Sequence, residues 1–261
     1  MQVPDPLEDL ALLVDAARGA GRIAARFFRE EPEVWIKPDG AGPVTEADIA
    51  VDDMLRACLC DARPDYGWLS EETPDSPARL SAGRVFIVDP IDGTQAFIEG
   101  SSAFSHSLAV VEEGVVVAAV VYLPIRGKLY AAARGHGATL NDIAIRASDA
   151  QDLRDAEVLA TKHTLSPDHW PRGVPPVTRA YRPSLAYRMA LVGEGRFDGM
   201  LTFRPTWEWD IAAGALIVAE AGGLATDASG SVLRFNGPVP QVAGVLAAAP
   251  SLHAAILGAR G

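Results

Sequence analysis

The strongest constraint on the fold is a series of three apolar segments between residues 105 and 140, each followed by a short turn. The segments read SHSLAVV, VVVAAVVYL and KLYAAA, and the turns EEG, PIRG and RGHG follow them in that order. Apolar runs of strand length joined by turns that contain glycine are typical of consecutive antiparallel strands. The pattern therefore predicts an antiparallel meander, and its longest run, 115–123, is too short to span a bilayer.

Predicted helices and shorter strands flank this meander. Apolar residues at helical spacing predict helices over 6–29, 184–193, 210–221 and 251–257. Thr45 and Asp48 form a capping box that opens a further helix, which ends near residue 62. Short apolar runs predict strands over 67–70, 84–88, 157–161, 200–203 and 244–248. The segment 33–44 is rich in proline and glycine and is predicted as a loop.

The order of these elements predicts an α/β protein in two parts. Residues 1–145 form a predicted α+β part that holds the meander, and residues 146–261 form a predicted α/β part in which helices and strands alternate. The polar stretch 141–150 marks the boundary. The two parts could still share one core.

The charge balance excludes some classes of partner. The chain has 23 basic and 34 acidic residues, which gives a net charge of −11 at pH 7. A nucleic-acid polymer or an anionic membrane is therefore not expected as a partner, because both require a basic surface. Cys58 and Cys60 would diverge on a helix, so no disulfide is expected, and the acidic N-terminal segment lacks a signal-peptide pattern. These features predict a cytoplasmic protein.

The segment DPIDGT, directly after the strand RVFIV, is the most suggestive chemical feature. Asp89 and Asp92 can face one point, and their hard oxygen ligands suit Mg²⁺ or Mn²⁺. Gly93 permits a sharp turn, and a helix that begins at Thr94 would present free N–H groups to an anion. The same segment could instead be an ordinary turn with an Asp helix cap.

Four further acidic residues could converge on this segment. Glu71 and Glu72 follow the strand GWLS, Asp48 lies in the first turn of its helix, and Asp210 begins a later helix. Each also has a local structural explanation. The two glutamates could be a solvated pair, Asp210 could be an N-cap, and Asp48 could simply complete the capping box.

The motifs VTEAD (44–48), LSEE (69–72), VDPIDGTQAF (88–97) and EWDIAAG (208–214) resemble those of the inositol monophosphatase superfamily in order and spacing. The resemblance covers essentially the whole chain. It implies a layered αβαβα sugar-phosphatase fold, a homodimer, and Mg²⁺-dependent, lithium-sensitive hydrolysis of a small phosphorylated metabolite by a metal-activated water. It implies two or three Mg²⁺ ions, for which Mn²⁺ can substitute.

The resemblance also implies a role for each matching residue. The metal ligands would be Glu71, Asp89, the Ile91 carbonyl, Asp92 and Asp210. The catalytic residues would be Thr94, whose hydroxyl orients the attacking water, Asp48, which accepts a hydrogen bond from Thr94, and Glu72, which tunes the site. The predicted substrate contacts are Gly93, Thr94, Asp92, Ser184, Phe203 and Arg204. Lys37 would lie in a mobile loop over the metals.

The identity of the phosphate ester rests on fewer residues. VTEADIA, LSEE, DGTQAFI and PTWEWD resemble the CysQ-type nucleotidases that remove the 3′-phosphate of 3′-phosphoadenosine 5′-phosphate. Inositol monophosphatases usually have Asn at position 96 and Glu at position 203, where this chain has Ala96 and Phe203. The Gln95-Ala96 pair also departs from the nucleotidase pattern. We nevertheless predict the nucleotide substrate, with Phe203 packed on the base and an arginine on a second phosphate, the candidates being Arg179, Arg182, Arg188 and Arg204.

Three alternatives remain open from the sequence. The substrate could be inositol 1-phosphate or fructose 1,6-bisphosphate. The chain could also be a catalytically silent regulator that binds metal or phosphate, although Thr94 and Asp48 are both present. A dinucleotide-binding Rossmann domain is disfavoured, because no G-x-G-x-x-G follows an early strand.

Overall fold

The computed structural model describes residues 5–37 and 42–260, which build two large β-sheets and two short strand pairs, with helices on the outer faces of the large sheets and between them. The larger sheet has seven strands in the order β3-β4-β5-β6-β7-β8-β9. Their bounds are β3 Gly67–Ser70, β4 Arg84–Asp92, β5 Ser105–Glu112, β6 Val115–Leu123, β7 Lys128–Ala133, β8 Ala138–Leu140 and β9 Ile143–Ala144. β3 is parallel to β4, and every other neighbouring pair is antiparallel. The predicted meander is confirmed.

Two long helices cover one face of this sheet. α1 (Pro6–Phe27) and α2 (Glu46–Ala62) bury their apolar residues against β4, β5 and β6. Thr45 caps α2, and its side chain and that of Asp48 make both reciprocal bonds of the predicted capping box. Within the described residues, no helix has the length and apolar character needed to cross a membrane.

The smaller sheet has five strands in the order β11-β10-β12-β16-β14. Their bounds are β10 Glu157–Ala160, β11 Thr178–Ala180, β12 Gly199–Thr202, β14 Leu224–Thr226 and β16 Val245–Ala248. α4 (Leu185–Gly193) and α5 (Glu208–Glu220) fill the space between the two sheets, and α6 (Pro250–Arg260) lies on the outer face of the smaller one. The layers therefore run αβαβα, as expected.

One buried cluster includes residues from both sides of the predicted boundary at residue 145. Val121 and Tyr130 of the larger sheet pack in the same core as Leu191 of α4, Ile217 of α5 and Met200 of the smaller sheet. α4 is buried along its whole length, because it has a β-sheet on either side. The division into residues 1–145 and 146–261 stays a prediction, and the two parts share this core.

Several local predictions need correction. The predicted loop 33–44 contains two short strands, β1 (Val34–Ile36) and β2 (Pro43–Thr45), which pair antiparallel, and residues 38–41 lie outside the described residues. α5 begins at Glu208, so Asp210 is its third residue and not its N-cap. Two further short strands pair antiparallel. β13 (Thr206–Trp207) directly precedes α5, and β15 (Gln241–Val242) follows β14 in the chain. Cys58 and Cys60 are free thiols, as expected.

Candidate active site

The end of β4 forms the centre of the site. The pairing of β4 with β5 is regular up to Asp89, which lies opposite Ser107, and resumes at Asp92 opposite Ser105, so the intervening residues bulge from the sheet. Gly93 follows with φ of 99°, a left-handed conformation that favours glycine. The short helix α3 (Thr94–Ile98) then begins. The predicted transition from strand to helix at Thr94 is confirmed.

Three of the predicted metal ligands meet at this point. Oxygen atoms of Glu71, Asp89 and Asp210 all lie within 4.8 Å of one another. They come from the end of β3, the end of β4 and the first turn of α5, elements that the two-sheet packing brings together. The carboxylates are separated by up to 139 positions in the sequence, so only the tertiary fold can assemble them.

Asp92 lies beside this trio and is tied to the start of α4. Its Oδ2 accepts hydrogen bonds from the Ser184 hydroxyl and the Ala186 N–H, both at 2.6 Å. A carboxylate at this position is favoured because it meets the unpaired N–H groups at the N-terminus of α4.

Burial and mutual repulsion dominate the electrostatics of the cluster. Burial raises the pKa of Asp89 well above its usual value, and the charges of Glu71, Asp92 and Asp210 raise it further. Burial also raises the pKa of Asp210, followed by the charges of Asp92 and Glu71. For Asp92, burial raises the pKa while the hydrogen bonds from Ser184 and Ala186 oppose the shift. Such a cluster gains stability from a compensating cation.

The donor set fits a hard divalent cation. The Oδ1 atom of Asp89 is fully buried and has no hydrogen-bond partner in the described part of the chain. An orphaned carboxylate oxygen at the centre of an acidic cluster is costly unless a ligand binds it. The three clustered ligand atoms are all carboxylate oxygens, the ligand type that Mg²⁺ prefers. The residues present therefore fit the metal that the sequence predicts.

Asp48 and Thr94 form the predicted contact. The Thr94 hydroxyl lies 3.1 Å from Asp48 Oδ1 and 3.1 Å from the Ile91 carbonyl oxygen, and its single proton can serve one of them at a time. The other oxygen of Asp48 accepts from the Thr45 N–H and hydroxyl, which fixes the carboxylate. Burial raises the pKa of Asp48 to about 6, against the effect of these hydrogen bonds.

Lys37 reaches the acidic cluster from the β1–β2 hairpin. Its Nζ atom lies 2.7 Å from Glu71 Oε1 and 2.7 Å from Glu72 Oε1. Burial lowers the pKa of Lys37, but the two glutamates outweigh it and raise that pKa to about 12. Burial and the charge of Glu71 raise the pKa of Glu72 to about 7. Lys37 thus partly neutralises the cluster, and its mobility stays a prediction.

Known proteins resemble this chain in both sequence and fold. The profile of the Inositol monophosphatase family matches residues 5–261. The chain belongs to the inositol monophosphatase family. It is 38% identical over 233 residues to an inositol-1-monophosphatase of Rhizobium meliloti, covering 85% of this chain and 86% of that protein. It is 32% identical over 233 residues to the Nus factor SuhB of Escherichia coli, covering 85% of each chain.

Solved inositol monophosphatase structures show the same architecture. A Thermotoga maritima IMPase superposes with a TM-score of 0.85 at 29% identity, covering 97% of this chain and 96% of that one. The suhB protein of Bartonella henselae superposes with a TM-score of 0.83 at 30% identity, covering 97% and 98%. These relatives are not CysQ-type nucleotidases, so the prediction that this chain is closest to that branch has no support from them.

Two of the predicted substrate contacts, Phe203 and Ser184, have other partners in the structure, and their contact with a substrate stays a prediction. The ring of Phe203 packs against His169 and Trp170, with centroids at 5.3 and 5.7 Å, and the Arg260 guanidinium lies 3.9 Å above it. The ring therefore packs against the outer cluster that includes residues of α6, but it is only half-buried, and its packing on a nucleobase stays a prediction. Ser184 is fully buried and donates a hydrogen bond to Asp92, and its direct contact with a substrate stays a prediction.

The charges of two arginines act on the acidic cluster, that of Arg204 on Asp210 and that of Arg188 on Asp92. Arg204 is exposed, its guanidinium donates no hydrogen bond to the described residues, and its charge opposes the raised pKa of Asp210. Arg188 is buried, donates to the carbonyls of Arg182 and Pro183, and lies 4.4 Å from the ring of Tyr181. Of the two, Arg204 is the one whose guanidinium is available to a substrate.

Sequence reasoning missed one group of residues near the site. Ser105 and Ser107, at the start of β5, hydrogen-bond to Ser184 and to the Trp209 carbonyl, and His106 between them bonds to the Pro90 carbonyl. The sequence feature that could have identified these residues is a run of three polar residues at the start of an otherwise apolar strand.

Proposed function

We propose that the protein is a Mg²⁺-dependent phosphomonoesterase and that inositol 1-phosphate is its preferred substrate. The observation that carries the proposal is the buried cluster of Glu71, Asp89 and Asp210, with the Asp48–Thr94 pair beside it. The relative at 38% identity is named an inositol-1-monophosphatase, which supports the choice of substrate. The presence and contact of Asp48 and Thr94 favour an enzyme over a silent regulator.

The chain's own residues have distinct tasks in this reaction. Asp48 accepts the hydroxyl proton of Thr94 in a hydrogen bond, so the Thr94 oxygen is oriented to take a proton from an attacking water. The backbone N–H groups of Gly93 and Thr94 are the predicted contacts of the phosphate. Mg²⁺ bound at the carboxylates would neutralise the phosphate dianion and lower the pKa of the water.

The packing of Phe203 supports inositol 1-phosphate over a nucleotide. A stacked base contributes about 1–3 kcal/mol to binding. In the structure the Phe203 ring instead contacts His169, Trp170 and Arg260, which favours a substrate without a base. Arg204 remains as an exposed donor that can bind a hydroxyl or phosphate oxygen of the substrate.

The test compares kcat/KM for inositol 1-phosphate, 3′-phosphoadenosine 5′-phosphate and fructose 1,6-bisphosphate at one pH and one Mg²⁺ concentration. We expect the highest value for inositol 1-phosphate. We also expect Phe203→Leu to leave the ratio of the inositol 1-phosphate value to the nucleotide value within about twofold, because the ring packs against His169 and Trp170. A higher nucleotide value that Phe203→Leu reduces selectively would restore the nucleotidase prediction, and Mg²⁺ binding without phosphate release would indicate a silent regulator.

A further inference from the structure

The first three residues of β5 are polar and buried inside an apolar strand. Ser105 and His106 are 0% exposed and Ser107 is 1% exposed, whereas the next four residues of the strand are all apolar. Successive side chains of a strand point to opposite faces of the sheet. The two serines therefore face α4 and α5, and His106 faces the α1 and α2 side, where it lies near Phe104 and Tyr122.

Ser105 supports Asp92 through Ser184. The Ser184 hydroxyl has one proton, and it donates that proton to Asp92 Oδ2. Its oxygen accepts from the Tyr187 N–H at 3.0 Å, so the contact of 3.0 Å with Ser105 Oγ is one in which Ser105 donates. The chain Ser105–Ser184–Asp92 thus has a defined proton direction and fixes the Asp92 carboxylate at the start of α4.

His106 supports the segment that carries Asp89. Its Nδ1 atom lies 2.5 Å from the Pro90 carbonyl oxygen, and a carbonyl can only accept, so Nδ1 carries the proton. Burial lowers the pKa of His106 to about 4, which keeps the ring neutral at physiological pH. The other nitrogen, Nε2, is buried without a partner among the described residues. An unpartnered buried nitrogen destabilises the fold, and an apolar side chain at this position would not have one. The hydrogen bond to the Pro90 carbonyl is therefore what a histidine contributes here.

Ser107 supports Asp210. Its hydroxyl donates to the Trp209 carbonyl oxygen at 2.8 Å, and Trp209 directly precedes Asp210 in the first turn of α5. The carbonyl has a second lone pair for this bond besides the one used within the helix. Ser107 therefore ties the start of α5 to β5, next to the strand that carries Asp89.

We propose that Ser105, His106 and Ser107 are positioning residues that together hold Asp92, Asp89 and Asp210 at the spacing required for a divalent cation. The inference rests on the proposed function, because it assigns these carboxylates to a metal. The three residues of β5 thus contact three different elements. Ser105 contacts the start of α4, His106 contacts the end of β4, and Ser107 contacts the start of α5. Hydrogen-bond partners of metal ligands typically change metal affinity by about 10–100-fold when they are removed.

The test measures binding of Mg²⁺ alone by titration calorimetry, without substrate. The variants are Ser105→Ala, His106→Val and Ser107→Ala, with His106→Asn as a rescue, because its side-chain amide can donate near the position of Nδ1. The matched controls are Ser148→Ala and His253→Asn. The Ser148 hydroxyl is buried without a partner in the described chain, and His253 is a buried histidine of α6 that contacts Thr226. Metal-free melting temperatures are measured in parallel.

We expect Ser105→Ala, His106→Val and Ser107→Ala each to raise the Kd for Mg²⁺ about tenfold or more. His106→Asn should recover part of the lost affinity, and both controls should bind Mg²⁺ as the wild type does. If these substitutions lower the metal-free melting temperature but leave the Kd unchanged, residues 105–107 have a purely structural role and the inference is overturned. Loss of affinity in the controls of the same size would also overturn it. A wild-type protein that binds no Mg²⁺ would instead refute the proposed function.

Discussion

Replacing Asp210 by asparagine should stabilise the metal-free protein while removing its response to Mg²⁺. Oxygens of Asp210, Glu71 and Asp89 lie within 4.8 Å of one another. At this separation two full charges repel by about 3 kcal/mol at an effective dielectric constant of about 20. Asparagine has nearly the same shape and no charge, and no described residue donates a hydrogen bond to the Asp210 carboxylate that the change would remove.

The expected gain in stability of the metal-free variant is smaller than the full repulsion between two charged carboxylates. Burial and the neighbouring charges raise the pKa of Asp89 well above its usual value, so part of the repulsion is already relieved by protonation. We expect the metal-free Asp210→Asn variant to gain about 1–3 kcal/mol, which for a chain of this size is roughly 2–10 °C in Tm. The gain has a defined pH dependence, because the folded wild type holds protons that the unfolded chain releases above pH 4. Wild-type stability should therefore fall as pH rises above the usual titration range of a carboxyl group, and the variant should show a weaker decline.

The assay is calorimetric melting of both proteins in EDTA and in excess Mg²⁺, with phosphate release measured alongside. Mg²⁺ should raise the Tm of the wild type and leave that of Asp210→Asn nearly unchanged, and turnover should fall by about 10³ or more. Asp227→Asn is the matched control, since three hydrogen bonds from Ser229 and Ser231 stabilise that carboxylate and its replacement should lower Tm. A metal-free Asp210→Asn protein less stable than the wild type would refute this reasoning.

Three further predictions follow from individual contacts. Thr94→Ala should lower kcat with little change in KM, because the hydroxyl at 3.1 Å from Asp48 acts on the water while backbone N–H groups hold the phosphate; steady-state kinetics with an unchanged kcat would remove Thr94 from the mechanism. The kcat should decline as pH falls below about 6, because a protonated Asp48 no longer accepts the Thr94 bond in the same way; a flat profile at saturating Mg²⁺ between pH 5 and 7 would contradict this. Asp9→Ala should cost about 3–5 kcal/mol in urea unfolding, since it leaves Arg84, bonded to Asp9 at 2.6 Å, buried without that partner, and Mg²⁺ affinity should not change.

The elements that depend on local chemistry were predictable from the sequence. The capping box at Thr45 placed the start of α2 correctly, and the turns after SHSLAVV and VVVAAVVYL placed the antiparallel strands. The paired strands β1 and β2 were not predicted, because each has only three residues and their composition is that of a loop. Their pairing depends on Val34 meeting Thr45, a contact that periodicity does not encode.

The site was predictable only in part, because its residues meet through tertiary packing. Asp89 and Asp92 stood out through the DPIDGT segment, but spacing alone could not show that Glu71 and Asp210 join Asp89. That convergence was available only from the family resemblance. The contact of the Phe203 ring with Trp170 was not predictable either, since the neighbours of a residue at the end of a strand depend on which elements cover that face of the sheet.

The central claim is that the buried carboxylates make phosphate release from inositol 1-phosphate dependent on a divalent cation. The most direct measurement is the initial rate of that release after exhaustive chelation with EDTA, followed by titration with Mg²⁺. We predict that activity is lost on chelation and returns in a saturable manner with Mg²⁺ in the wild type, but not in Asp210→Asn. Full activity in the chelated wild-type protein would contradict the account.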